Sequence, residues 1–178
     1  HIPTNSGIIN PVNSIGELIA KHNIHYFDDS STLPKCFYLV DACQSAGQVQ
    51  LDVQKMHCHA LTATGRKYLR GPRGTGFLYV QNEIADLLQP SHIDHSSSPV
   101  KKLPNASSDK DFSQSIDLTL HLDYSHRQGA ARFEFWESNI AGKLGLGAAI
   151  DYALKEVGLH VIEKKVAHLG KSLRSQLR

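Results

Sequence analysis

Two short apolar runs constrain this chain most. The first, CFYLV (residues 36–40), is rich in β-formers and ends at Asp41; the second, ALTAT (60–64), ends just before Gly65-Arg66-Lys67. Continuous runs of this length suit strands buried on both faces of a sheet. Residues 44–58 between them are long enough for a crossover. The pair therefore reads as the minimal βαβ unit, two parallel strands joined by a connection of about a dozen residues. GFLYV (76–80) is a third candidate strand. The fold class that follows is α/β, with a mostly parallel sheet flanked by helices.

Helical signals frame these runs. Asn10-Pro11 reads as a cap followed by proline at the first helical position, and Val12, Ile15, Leu18 and Ile19 keep helical spacing to about residue 22. NEIADLLQ begins a short helix at Asn82. A longer helix is expected from Asn139 to Val157, with Ile140, Leu144, Ala148 and Leu154 on one side and Gly158 as its stop. Its glycines, Gly142, Gly145 and Gly147, lower helix propensity and imply close packing against another element. The last helix carries Ile162, Val166, Leu169, Leu173 and Leu177. Residues 90–131 are polar, with one short strand expected near IDLTLHL (116–122).

Composition removes several function classes. A net charge of +2 with both signs interspersed gives no nucleic-acid or membrane footprint. Three irregularly spaced cysteines (Cys36, Cys43, Cys58) suggest neither a disulfide framework nor a zinc site, so no metal is expected and a reducing, cytoplasmic setting fits. No run approaches the roughly 18 apolar residues that span a bilayer. HIPTNSGIINP opens the chain like the middle of something longer, and the last helix stops without a cap. A piece of a longer protein is the expectation.

Chemistry concentrates at the strand ends. Ligands of open α/β sheets bind outside the carboxyl ends of the strands. Asp41 sits at one such end; Thr64, Arg66 and Lys67 sit at another. Other motifs carry less. GPRGTG lacks the spacing and the GK[ST] ending of a phosphate-binding loop. HCH (57–59) and HIDH (92–95) lack the helical spacing and third ligand of a metal site. Cys43 reads as small packing in a turn, and Phe135 and Trp136 as residues packed on the sheet or on a partner subunit.

VDACQSAG, TGRKYLRGPRGTGFLYV and RFEFWESNIAGKLGLGAA, in this order, resemble the class V aminotransferase family. That family comprises fold-type I pyridoxal phosphate enzymes and includes cysteine desulfurases, selenocysteine lyases and isopenicillin N epimerase-like proteins. The resemblance implies residues 1–160 as part of the cofactor-binding large domain, with its N-terminal portion missing. Residues 161–178 would be a helix leading towards a missing small domain. It implies pyridoxal 5'-phosphate as cofactor and Lys67 as the catalytic Schiff-base residue. Asp41 would pair with the pyridine nitrogen, and Gln44 with the ring oxygen. Thr64 and Arg66 stand where the family has a serine and a histidine that hold the phosphate, and an arginine suits that role. Thr4 stands where desulfurases carry an asparagine near the ring oxygen.

The sequence departs from the desulfurase pattern in places. Three residues (Tyr68, Leu69, Arg70) separate Lys67 from Gly71-Pro72, where desulfurases have two. Glu137 stands near a threonine that serves the partner subunit's phosphate, leaving that contact to Ser138 or Asn139. The stacking aromatic, the substrate-binding arginine and any catalytic cysteine would lie outside these residues. The expected function is a homodimeric pyridoxal phosphate enzyme acting on an amino acid, of aminotransferase, epimerase or C–S lyase type. Alternatives are a cysteine desulfurase proper, a non-catalytic scaffold of the same fold or, more distantly, a nucleotide-binding α/β domain.

Overall fold

The computed structural model describes residues 1–24, 36–101 and 124–177. The strand expected at 116–122 lies outside the described residues. In chain order the elements are α1 (Val12–Ile24), β1 (Leu39–Asp41), β2 (Ala60–Thr64), β3 (Gly76–Val80) and α2 (Asn82–Ala85). A 3-10 turn (Gly129–Phe133) follows. Then come α3 (Ile140–Asp151), a π-helical turn (Tyr152–Val157) and α4 (Leu159–Gln176).

The three strands make one sheet in the order β1-β2-β3. β1 and β2 run parallel, with Asp41 opposite Thr62. β3 runs antiparallel to β2, pairing Thr64 with Gly76 and Ala60 with Val80. The reason lies in the loop between them. The Gly65 amide donates to the Thr75 carbonyl at 2.8 Å, which closes residues 65–75 as a wide hairpin rather than a crossover. The α/β expectation is met, with this mixed sheet as its local form.

β1 is shorter than the apolar run that announces it. The Tyr38 amide donates to Nδ1 of His59 at 2.8 Å, while the Tyr38 carbonyl accepts from the amides of His59 and Ala60. An imidazole thus takes the place of a ladder bond. Burial lowers the His59 pKa, in keeping with a neutral ring whose Nδ1 accepts. The crossover holds no helix. It is a series of turns, with Ala46 N bonding Ala42 O at 2.8 Å and Met56 N bonding Asp52 O at 2.9 Å.

Two helix faces differ from those the apolar spacing predicts. On α1 the buried residues are Val12, Gly16 and Asn23, whereas Leu18 is 68% exposed. Gly16 lies so close to the Met56 carbonyl that a Cβ would collide with it, and Asn23 grips both backbone groups of Cys36. Asn10 does not cap this helix: its amide and its side chain both donate to the His1 carbonyl at 3.0 Å. On α3 the buried residues are Gly142 and Leu146, while Ile140 and Leu144, and Leu154 in the π-helical turn, face outward. Close packing is as expected at Gly142, which faces Thr75, and at Gly145, which faces Pro72, but not at Gly147, where a Cβ would meet nothing within 4 Å.

The short helix expected from NEIADLLQ is a single turn that ends at Ala85. Pro90 has no N–H to offer the Asp86 carbonyl, and it biases Gln89 away from helical backbone. The Asp86 and Leu88 carbonyls are taken instead by the Arg132 guanidinium. The main core joins Val40, Ala42, Met56, Cys58, Leu61 and Leu146, among others. α4 buries no residue. Among the described residues no helix is long and apolar enough to cross a membrane.

Candidate functional site

Because β1 and β2 are parallel neighbours, their carboxyl ends open on one edge of the sheet. Ala42 continues the ladder by donating to the Thr62 carbonyl at 2.8 Å, and the chain then turns. The Cys43 amide donates to Asp41 Oδ1 at 2.8 Å, an Asx turn of the kind Asp favours. This hydrogen bond holds the Asp41 carboxyl below the usual carboxylate range, with the Cys43 thiol and the Lys67 charge adding to it. Partial burial pushes the Cys43 thiol up, and so does the facing Asp41 carboxylate. At neutral pH the group is therefore an ionised carboxylate beside an un-ionised thiol.

Lys67 lies three residues past the end of β2 and is half-buried. Among the described residues its Nζ has no hydrogen-bond or ion-pair partner, and neither does the guanidinium of exposed Arg66. The backbone beneath Lys67 is tightly framed. Arg70 N donates to the Lys67 carbonyl at 2.9 Å, and Gly71 N to the Gly65 carbonyl at 2.8 Å. Arg70 closes this turn in left-handed backbone at φ 61°, which costs a non-glycine residue energy. Leu69 anchors the turn in the core. From the other side, Gly47 at φ 87° lies against Tyr68, where a Cβ would stand 2.6 Å from the Tyr68 carbonyl carbon and oxygen.

The remaining expected residues fall around the same edge. Thr64 ends β2, and its hydroxyl donates to the Thr75 carbonyl over a long 3.4 Å. Gln44 Nε2 donates to Thr4 Oγ1 at 2.9 Å. Thr4 reaches this point on the segment 1–10, whose His1 nitrogen donates to the Asp41 carbonyl at 2.9 Å. The segment that carries Glu137, Ser138 and Asn139 is tied down by two carboxylates. Asp86 pairs with buried Arg132 at 2.6 Å and accepts from the Gly129 amide. Asp94 accepts from the amides of Ser96, Ser97 and Trp136, which lowers its pKa strongly. Asn139 uses its oxygen to cap α3 at Gly142 N, 2.8 Å away, and Glu137 is exposed. Trp136 does not pack on the sheet; it is 63% exposed and meets His95 at 5.5 Å between ring centroids.

The donor set can be tested against pyridoxal phosphate on its chemistry. An aldehyde needs an unpaired amine, and Lys67 has one. A protonated pyridine nitrogen needs an ionised carboxylate, and the Cys43 amide keeps Asp41 in that form. A phosphate needs donors, and the Arg66 fork is unspent. The residues present fit the group. Among the described residues no cluster of three His, Cys, Asp or Glu could hold a metal ion.

Three positions that shape the edge were not among those expected: the Cys43 amide, Gly47 and Thr75. The Asp-x-x turn signal in DAC pointed to the first. Nothing local in the sequence marks the other two, because their roles depend on what the fold brings beside them.

Comparison with known proteins adds ancestry. The family model described as Aminotransferase class-V matches residues 1–178. A protein from Pyrococcus abyssi named "Probable cysteine desulfurase" is 27% identical over 96% of this chain and 35% of its own length. Another of that name from Halalkalibacterium halodurans is 30% identical over 92% of this chain and 32% of its own. The apo structure of a cysteine desulfurase from Thermococcus onnurineus NA1 superposes with a TM-score of 0.74 at 29% identity, covering 99% of this chain and 36% of that one. The chain thus spans about a third of the length of these curated relatives.

Proposed function

We propose, because this chain belongs to the aminotransferase class-V family, that it is the cofactor-anchoring part of a pyridoxal phosphate enzyme acting on an amino acid. One observation carries the reading. An unpartnered lysine amine follows the end of β2 while an ionised carboxylate ends the parallel neighbour β1. Left to themselves, such groups would gain by pairing. Here each stays available for a separate partner.

When bound, the cofactor supplies an electron-accepting ring for the bond broken at the substrate's α- or β-carbon. The Lys67 Nζ would hold the cofactor at its aldehyde carbon and, once released, would take and return protons at that nitrogen. Asp41 pairs with the ring nitrogen and keeps it protonated. Gln44 and Thr4 face the ring oxygen, while Arg66 and Thr64 take the phosphate, Arg66 the larger share. Residues 1–160 then belong to the large domain and α4 leads on towards a second domain, in a homodimer. Transamination, epimerisation and C–S lysis share these anchoring roles. C–S lysis is the type that the relatives' names favour.

The deciding experiment is borohydride reduction of the chain in the presence of pyridoxal phosphate, followed by peptide mass mapping. A phosphopyridoxyl adduct confined to Lys67, and lost in Lys67→Ala, is the expected result. A folded preparation with no adduct at Lys67 overturns the reading in favour of a non-catalytic member of the fold.

A further inference from the structure

His59 immediately precedes β2, and its ring reaches the chain just before β1. Nδ1 accepts from the Tyr38 amide at 2.8 Å, so the imidazole is the tautomer that carries its hydrogen on Nε2. The backbone around this contact is fixed from both sides. The Tyr38 carbonyl accepts from the amides of His59 and Ala60 at 2.9 and 3.2 Å, and the Gln81 amide donates to the His59 carbonyl at 2.9 Å. Tyr38 also reaches α1. Its hydroxyl donates to the Val12 carbonyl at 3.0 Å, and a Cβ on Gly16 would stand 3.3 Å from its ring. One residue thus joins α1, β1 and the start of β2, and its amide depends on a side chain that titrates. The His59 ring is half-buried and stacks on Phe37 at 5.5 Å between centroids.

We propose that His59 is a pH-sensitive latch, which ties the start of β1 to β2 while neutral and lets Tyr38 go when protonated. The latch stands apart from the cofactor reading. Protonation puts a hydrogen on Nδ1, which then faces the Tyr38 N–H and can no longer accept from it. The ring must turn away, so the amide loses its partner and the seam with α1 loses a support. The other end of β1 has no such dependence, since the Ala42 amide donates to the Thr62 carbonyl. Asp41 therefore keeps its place while the start of the strand loosens. Among the described residues, burial is the one cause that lowers the His59 pKa. The stability that the neutral ring contributes is complete above the ordinary histidine value and is lost as pH falls through the lower folded value. The other titratable groups around the ring are His57 and Cys58 beside it in sequence, Tyr38 before β1, and Tyr79 and Glu83 on the β3 side. Burial pushes Cys58, Tyr38 and Tyr79 up, so none of these three ionises where the ring takes its proton. α1 meets Tyr38 through Val12 and Gly16, which do not titrate.

The test is hydrogen–deuterium exchange of the full chain, resolved to the Tyr38 amide and corrected for the intrinsic pH dependence of exchange. It runs from about pH 7.5 to about pH 4.5, a range that spans the ordinary histidine value. In the parent, protection of the Tyr38 amide is expected to fall by about 3- to 10-fold across that range, while the Ala42 amide keeps its protection. His59→Asn offers a neutral oxygen acceptor at every pH, and its Tyr38 protection is expected to stay level. His59→Phe keeps a ring to stack on Phe37 and removes the acceptor. Its Tyr38 amide is expected to exchange at neutral pH as the acidified parent does. Level protection of Tyr38 in the parent overturns the latch. An equal fall in the parent and in His59→Asn also overturns it, since another group would then be responsible. Should His59→Phe fail to fold, the comparison of the parent with His59→Asn decides alone.

Discussion

The Cys43 amide lies 2.8 Å from Asp41 Oδ1, so the carboxylate at the end of β1 is held ionised by its own backbone. Its folded-state pKa is depressed. The stability it contributes is present above the ordinary carboxylate value and is lost as pH falls through the lower folded value. Asp41→Asn keeps an oxygen for the Cys43 amide and removes the charge. The variant is expected to lose less stability than the parent between pH 5 and pH 2, as followed by thermal melting across that range. At neutral pH it is expected to bind pyridoxal phosphate more weakly than the parent.

Gly47 and Tyr68 meet backbone to backbone. In Gly47→Ala the added methyl must push the Tyr68 carbonyl away, and alanine is also strained at φ 87°. A loss of about 1–3 kcal/mol in unfolding free energy is expected. Because the displaced turn carries Lys67, borohydride trapping should slow as well. Gly16→Ala on α1 is the control: its methyl meets the Met56 carbonyl of the crossover, so melting should fall while trapping by the folded fraction stays normal.

Arg132 is buried and donates to three carbonyls (Asp86, Leu88 and Arg127) as well as to the Asp86 carboxylate. Arg132→Met leaves those acceptors unsatisfied, at an expected cost of about 2–4 kcal/mol by denaturant titration. Arg132→Lys should recover only part of it, since an ammonium lacks the planar fork that serves acceptors on several sides.

Trp136 is the single tryptophan of the chain and so reports on Asp94, which accepts its amide hydrogen at 2.7 Å. The Asp94 pKa is depressed well below the ordinary range, so the contact is expected to persist through pH 4 and to be lost only as pH falls through the folded value. Fluorescence anisotropy of Trp136 in a descending pH series should show that late change. Asp94→Ala should give the loosened, low-anisotropy signal already at neutral pH.

What the sequence made readable followed from side-chain type. The runs ending at Asp41 and Thr64 announced two strands because continuous apolar residues have few other uses at that length. The loop bearing Lys67 stood out by its glycines. The direction of GFLYV could not be read, since an apolar run is the same forwards and backwards and only the Gly65–Thr75 closure sets it. The faces of α1 and α3 were misread for one physical reason. Periodicity finds large apolar side chains such as Leu18 and Leu144, whereas these helices approach their neighbours through Gly16 and Gly142. The pairing of Thr4 with Gln44 was beyond reach, because it depends on where two distant loops come to rest.

The turn under Lys67 has a consequence for how such a chain can change over generations. It is fixed by main-chain contacts: Gly47 beneath it, Gly71 tied to Gly65, and Gly65 tied to Thr75. Few variable side chains take part in holding the amine where it is. Substitution of the side chains that line the rest of the edge would thus leave the backbone beneath Lys67 in place. On the pyridoxal phosphate reading, one scaffold could in this way serve related chemistries without rebuilding the turn under Lys67.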